Sequence, residues 1–316
     1  MGSSPFTTDG DQTWFGEREP VGFEQRIQVR RVLYETRSPY QLIQVLDTAP
    51  FGTMLVLDRA VQTTAADEFT YHEMLVHPAL TSVAHPQRVL IIGGGDGGCL
   101  RRVLQHPVQA AHLVEIDGQV IDVSRRYLEE IAAGAFDDPR AHLVLADGVE
   151  YVRQAVGPFD VVIIDSTDPT PSGLSHSLFS VEFYRDIRRL VGDHGVLVTQ
   201  SGSPLFHLRE LLSTVSRLRQ VFSLVQVYLA LIPSYPGVVW SFTVASSALD
   251  VAHLAPAQIE QRLAERGISP RYYHPHLHGA SFILPTFLAQ ALAHPQQLAA
   301  QQRAYPVRYG ALAGDP

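Results

Sequence analysis

Hydrophobic positions fall into two rhythms along the chain. Up to about residue 64, short β-prone segments (Ile27 to Tyr34, Gln41 to Leu46, Thr53 to Leu57) are separated by turn formers such as Ser38-Pro39 and Pro50-Phe51-Gly52. Strands this close in sequence predict hairpins, hence a small antiparallel layer. From residue 88 apolar runs of strand length alternate with helical patterns. RVLIIGGG, AAHLVEID, AHLVLAD, FDVVIIDST and HGVLVTQ are the runs; CLRRVLQH, QVIDVSRRYLEEI and EFYRDIRRLV lie between them. Continuous apolar strands of this kind belong to a parallel sheet covered on both faces, a Rossmann-type α/β arrangement. Between the two rhythms, DEFTYHEMLVHPAL reads as a joining helix that brings Tyr71 and His72 to the larger sheet's edge. After residue 204, LFHLRELLSTVSRLRQVF predicts a helix, and LVQVYLALI and GVVWSFTVAS around PSYPG predict an antiparallel hairpin on the sheet edge. The expected division is a β domain over 1–66, a catalytic α/β domain over 67–292 and a loosely attached tail over 293–316.

Composition narrows the class. With 316 residues, 46% of them apolar, the chain can bury one sizeable core and a smaller second one. Its formal charge of -8 and lack of any basic run argue against a nucleic-acid partner. One cysteine, Cys99, excludes an intrachain disulfide framework and a Cys-rich zinc site. Neither a signal-type N-terminus nor a membrane-length apolar stretch is visible, so a soluble cytoplasmic protein is the simplest expectation.

The unusual residues cluster at strand ends, where ligands bind in such sheets. The run Gly93 to Gly98, interrupted only by Asp96, follows a strand and opens a helix, with Gly93 and Gly95 bringing backbone close to a nucleotide-type ligand. Glu115 lies 22 residues after Gly93, where an acidic side chain accepts ribose hydroxyls. Asp147, after the next strand, is placed to accept from an adenine amino group. These three strand ends fit an adenosyl ligand without a pyrophosphate. Asp96 indicates which one: beside ordinary S-adenosylmethionine it meets a like-charged carboxylate, whereas decarboxylation leaves an ammonium it can pair with. Its alternative role is to cap the helix beginning near Gly97.

Asp165 and Asp168 stand at the end of FDVVIID, within DSTDP. An aliphatic amine arrives protonated and attacks only as a proton leaves. Asp165 is read as the base that takes that proton while nitrogen attacks the carbon next to a sulfonium, with Asp168 fixing the amine. Tyr71, His72, Gln200 and Tyr235 are candidates to orient the acceptor, each with an ordinary alternative as a packed or hydrogen-bonded core residue. His274, His276 and His278 alternate without a nearby carboxylate, so no metal is expected. Cys99 has no base partner in sequence and reads as packing, and SGSP at 201–204 lacks the G-x-S-x-G arrangement of a nucleophile elbow.

At these residues the chain resembles the spermidine synthases. The similar stretches include SPYQ at 38–41, DEFTYHEM at 67–74, VLIIGGGDGG at 89–98, VEID at 114–117, ADG at 146–148, DSTDP at 165–169 and IPSYPG at 232–237. The resemblance implies a small N-terminal antiparallel β domain joined to a methyltransferase-like, mostly parallel α/β domain, assembled as a homodimer or homotetramer. It implies no tightly bound cofactor but decarboxylated S-adenosylmethionine as co-substrate, and a small cationic polyamine as acceptor. By residue, it implies that Gln41, Glu115 and Asp147 contact the nucleoside, that Asp96 binds the propylamine nitrogen, and that Asp165 is the base. Tyr71, His72, Asp168, Gln200 and Tyr235 would surround the two amines. Putrescine is the expected acceptor, with agmatine, cadaverine or a longer amine as alternatives; an S-adenosylmethionine-dependent amine methyltransferase is the alternative of another class. Several positions depart from the pattern: Leu57-Asp58-Arg59 for the usual LDG, Ala65-Ala66 before DEF, a lengthened segment after DSTDP, and Gly202 in place of a common acidic residue.

Overall fold

The computed structural model describes residues 4–19, 21–167 and 176–297. The N-terminal part is a six-stranded antiparallel meander of β1 (Phe6–Asp9), β2 (Gln12–Glu19), β3 (Phe23–Arg37), β4 (Leu42–Thr48), β5 (Gly52–Leu57) and β6 (Ala60–Thr64), in that order. The three expected strands correspond to β3, β4 and β5. β2 was less visible because its inward face carries an acid: Phe15 and Glu17 are both buried, and Glu17 accepts from Gln25 Nε2 at 2.8 Å and from the Val61 N–H at 3.2 Å. Alternation of apolar and polar residues is the strand signal, and a buried carboxylate erases it.

The larger sheet has seven strands: β7 (Arg88–Gly93), β8 (Ala110–Glu115), β9 (Ala141–Leu145), β10 (Val161–Asp165), β11 (Val196–Gln200), β12 (Leu224–Leu231) and β13 (Val239–Ser246). Their order is β12-β13-β11-β10-β7-β8-β9, with only β13 antiparallel to its neighbours. The expected hairpin is therefore present, with β13 inserted between β11 and the edge strand β12. Helices α1 (Glu68–Ser82), α2 (Gly98–Leu104), α3 (Gly118–Tyr127), α4 (Glu129–Ala132), α5 (Gly148–Gln154), α6 (Val181–Val191) and α7 (Leu208–Leu218) precede or connect the strands. They are followed by α8 (Pro256–Glu265), α9 (Pro275–Ser281) and α10 (Thr286–Ala293). Strands β7, β10 and β11 are buried along nearly their whole length, as continuous apolar runs require.

Helix α1 is buried on almost every face, between α2, α8 and the larger sheet. Pro78 inside it cannot donate to the Met74 carbonyl one turn earlier, and Tyr228 Oη from β12 donates to that oxygen instead, at 2.8 Å. The helix thus runs unbroken from the N-terminal sheet to the core. Asp67 at its start accepts from the Ser234 N–H at 2.7 Å, fixing the loop between β12 and β13 over the joint. No helix among the described residues is long and apolar enough to cross a membrane.

Candidate active site

Strand order reverses between β7 and β10, and Gly93 pairs with Asp165 at the carboxyl ends of these two strands. Ligands bind at such a reversal because the connections leave it in opposite directions and open a crevice. Here the crevice is a cavity of about 850 Å³, roofed by the N-terminal sheet and floored by the strand ends. Gly93 has φ +82, and a Cβ there would lie 2.2 Å from the Asp165 carbonyl oxygen, so only glycine lets the two strand ends meet. Gly94 N–H then donates to that same carbonyl at 2.8 Å.

Glu115 ends β8 and lines the cavity, almost fully buried. Burial, with the Asp117 carboxylate adding to it, pushes its pKa up to about 7, against backbone N–H groups of Asp117, Ile116 and Gly95 that favour the carboxylate. Gln41 lines the cavity from the N-terminal sheet; its Nε2 donates to Asp117 Oδ2 at 3.0 Å, an oxygen that Ser38 Oγ also reaches at 2.6 Å. Asp117 also caps α3. Asp147 lines the cavity but caps α5 as well, accepting from the Val149 and Glu150 N–H groups through Oδ1, which leaves Oδ2 for a ligand.

Asp96 lines the cavity and accepts from the Gly98 N–H at 2.7 Å through Oδ1, so it has both the capping role and the exposure to a ligand. Asp165 faces it. Tyr71 Oη donates to Asp165 Oδ1 at 2.8 Å, while Oδ2 is buried and has no hydrogen-bond partner among the described residues. Burial first, then the Asp96 charge, raises the Asp165 pKa to about 6, opposed by His72 and the Tyr71 hydrogen bond. The tyrosine itself stays protonated, because burial and the neighbouring Asp165 drive its pKa well above the ordinary value.

Tyr71, Gln200 and Tyr235 all line the cavity. Gln200 is held by backbone: its Nε2 donates to Ser166 O at 3.0 Å and its Oε1 accepts from the Gly202 N–H at 2.9 Å. Tyr235 Oη donates to Gln62 O, and its ring sits between Tyr71 and Trp240. His72 is different. It is buried, does not line the cavity, and lies behind Asp96 rather than beside the acceptor space. Asp168 and the lengthened segment after it lie outside the described residues, as does 298–316 of the tail.

Among the cavity residues that escaped the sequence reading are Glu17, Glu19 and Trp240. Glu17 and Glu19 follow Phe15 at alternate positions of β2, so strand period two would have placed them on one face with it. Trp240, at the start of β13, is 7% exposed and its Nε1 has no partner among the described residues. Gly202 has φ +73, and a Cβ there would lie 3.0 Å from that of His207, so a side chain at that position would be strained in this backbone. Among the described residues no group of His, Cys, Asp or Glu is arranged to hold a metal; His274 caps α9, and His278 bonds Tyr273 and the Val251 carbonyl. Cys99 is fully buried, and burial with Asp165 and Asp96 nearby drives its thiol well above the ordinary pKa, away from reactivity.

Known proteins share this fold. Residues 68–254 match the spermine/spermidine synthase domain, and residues 13–65 match the spermidine synthase tetramerisation domain. The chain belongs to the spermidine synthase family. A polyamine aminopropyltransferase of Desulforudis audaxviator is 46% identical over 277 residues, covering 87% of this chain and 98% of the relative. One of Moorella thermoacetica is 40% identical over 285 residues, covering 90% and 98%. A spermidine synthase solved in complex with the transition state analogue AdoDATO superimposes with a TM-score of 0.84 at 38% identity, covering 89% of this chain and 94% of that one. The match to the tetramerisation domain supports an oligomeric protein.

Proposed function

We propose that this member of the family transfers the propylamine group of decarboxylated S-adenosylmethionine to a primary amine of a diamine, putrescine, giving spermidine and 5'-methylthioadenosine. The observation that carries the reading is Asp165 Oδ2, a buried carboxylate oxygen without a partner, facing Asp96 across one cavity. A buried acceptor left unbonded is costly, and a bound ammonium satisfies it.

In this reading Glu115 takes the ribose hydroxyls, Asp147 the adenine amino group, and Gln41 the nucleoside from the N-terminal sheet. Gly93 and Gly95 let the backbone approach it, and Asp96 Oδ2 pairs with the propylamine ammonium. The acceptor lies between Tyr71, Tyr235 and Gln200, with Asp168 as a further carboxylate. Its attacking ammonium gives a proton to Asp165 Oδ2 as its nitrogen forms the bond to carbon; the carbon–sulfur bond breaks with its electron pair on sulfur, leaving a neutral thioether. Sulfonium is already a competent leaving group, so alignment and negative charge carry the step. A pKa near 6 keeps Asp165 ionised at neutral pH yet more basic than an ordinary aspartate. Methyl transfer is disfavoured, since intact S-adenosylmethionine would bring its carboxylate against Asp96.

A homodimer or homotetramer belongs to the same proposal, as does a cytoplasmic location, both co-substrates being multiply charged small molecules that do not cross a membrane unaided. The test is to supply decarboxylated S-adenosylmethionine with putrescine, cadaverine, agmatine or spermidine in separate reactions and follow products by mass spectrometry. Spermidine formed with stoichiometric methylthioadenosine is expected. Turnover of intact S-adenosylmethionine with an amine, and none of the decarboxylated form, would overturn the reading.

A further inference from the structure

His72 is the one candidate site residue among those described that the cavity does not expose, yet its surroundings are not those of a packing residue. Its Nδ1 lies 2.9 Å from Glu68 Oε2, one helical turn back, and its Nε2 lies 3.4 Å from Asp96 Oδ1. Both ring nitrogens therefore face carboxylate oxygens, one at hydrogen-bond and one at ion-pair distance, and only the doubly protonated ring turns a proton toward each. Burial alone would favour the neutral ring; the Asp96 and Glu68 carboxylates override it and push the pKa up to about 10. Glu68 is in turn fixed by Arg102, whose Nη2 donates to its Oε1 at 2.7 Å, and Arg102 also approaches the buried Glu73 at 3.8 Å. Opposite charges thus alternate from the cavity wall into the core: Asp96, His72, Glu68, Arg102, Glu73.

The imidazole also occupies the space above Gly98, where a Cβ would lie 2.2 Å from the ring. Gly98 N–H and His72 both address Asp96 Oδ1, so Oδ2 alone is left for the cavity. Asp96 needs such a cation. It faces Asp165 in a poorly solvated site, where two like charges without compensation lead one of them to take up a proton. A protonated Asp96 cannot form an ion pair with an ammonium.

We propose that His72 is a positioning residue, an imidazolium that anchors Asp96 by Oδ1 and presents Oδ2 as a carboxylate to the propylamine ammonium, without touching either substrate. The proposal rests on the aminopropyl-transfer reading, and the test keeps the two apart. Wild-type turnover of decarboxylated S-adenosylmethionine tests that reading; the variants test His72. In His72→Gln, KM for decarboxylated S-adenosylmethionine rises about tenfold or more, the loss expected of one charge-assisted contact. The Kd for methylthioadenosine, which has no ammonium, stays unchanged, as does KM for the diamine. Glu68→Gln, which leaves the ring but removes one of its anionic partners, shows the same split more weakly and guards against misfolding of the first variant. Combined with Asp96→Asn, His72→Gln has no further effect. Equal weakening of methylthioadenosine, a rise confined to the diamine KM, or full additivity with Asp96→Asn would each overturn the proposal.

Discussion

At the scale of single residues, Asp165 combines the two properties that matter for a base, an oxygen without a hydrogen-bond partner among the described residues and a raised pKa. Asp165→Asn removes the proton acceptor at nearly constant shape, and turnover should fall by about 10²–10⁴-fold, measured as spermidine formed per enzyme, while methylthioadenosine still binds. Because the base form is required, kcat/KM of the wild type should fall as pH drops through about 6, the value to which burial and Asp96 raise this carboxyl. The stability sign is opposite. An ordinary aspartate in the unfolded chain titrates near ~3.9, so between that value and about 6 the folded state holds the extra proton and stability falls as pH rises. At neutral pH the folded protein carries the full cost of the ionised group, and Asp165→Asn should raise the unfolding temperature while lowering activity. An unchanged or lowered midpoint would mean that the carboxylate is not under strain. Asp96 was legible in the sequence because it stands within the glycine turn after a strand, and Asp165 because it ends an uninterrupted apolar strand. The placement of His72 behind Asp96 was not, because which side of a buried helix meets a loop depends on tertiary packing.

At the scale of elements, the parallel strands were legible because burial on both faces leaves uninterrupted apolar runs, and each run ended in the residue the cavity uses. What the sequence hid follows from local polarity. β2 carries Glu17 inward, β1 and β6 span only four and five residues, and α8, α9 and α10 were not foreseen, with few buried apolar positions each. The hairpin joining β5 to β6 shows a further departure. Asp58 and Arg59 have φ of 46 and 76, the two left-handed positions of a tight hairpin turn, and Arg59 stands where its relatives' pattern has glycine. A left-handed non-glycine residue costs on the order of 1 kcal/mol, and Asp58 offsets part of it by accepting from the Leu42 N–H at 2.9 Å. Arg59→Gly should therefore stabilise the protein, raising the thermal midpoint by about 1–2 °C for a chain of this size. Arg59→Val, a branched side chain at the same φ, should lower it, and differential scanning calorimetry of the pair decides whether the turn is strained.

At the scale of the whole molecule, the charge network on the cavity side of α1 has a neutral counterpart on the other. His77 Nδ1 meets His106 Nε2 at 3.0 Å, and His106 Nδ1 accepts from Arg266 at 2.9 Å, where α1, α2 and α8 come together. Burial, reinforced by the Arg102 and Arg266 charges, lowers the His77 pKa to about 3, and burial with His77 and Arg266 holds His106 well below the ordinary value. In the unfolded chain both titrate near ~6.5. Their contribution to stability is present above that pH and is lost as pH falls toward the folded-state values, because the unfolded chain binds protons that the folded core excludes. Glu115 and Asp165 work in the opposite direction over part of the same window, being protonated in the folded state first, so the wild-type profile alone does not separate them. The difference between variants does. His77→Gln keeps a polar side chain beside His106 but removes one titrating site, and its stability should lose less than that of the wild type between pH 6 and 4, with slopes differing by about 1.4 kcal/mol per pH unit. Urea unfolding at half-unit pH steps measures this, and parallel profiles would show that the pair is not kept neutral. In this fold the imidazoles at 72 and 106 are assigned opposite charge states by the groups around them, two carboxylates for one and an arginine with a neutral ring for the other. Acidification should therefore weaken the junction of α1, α2 and α8 before it discharges the His72 network that supports Asp96.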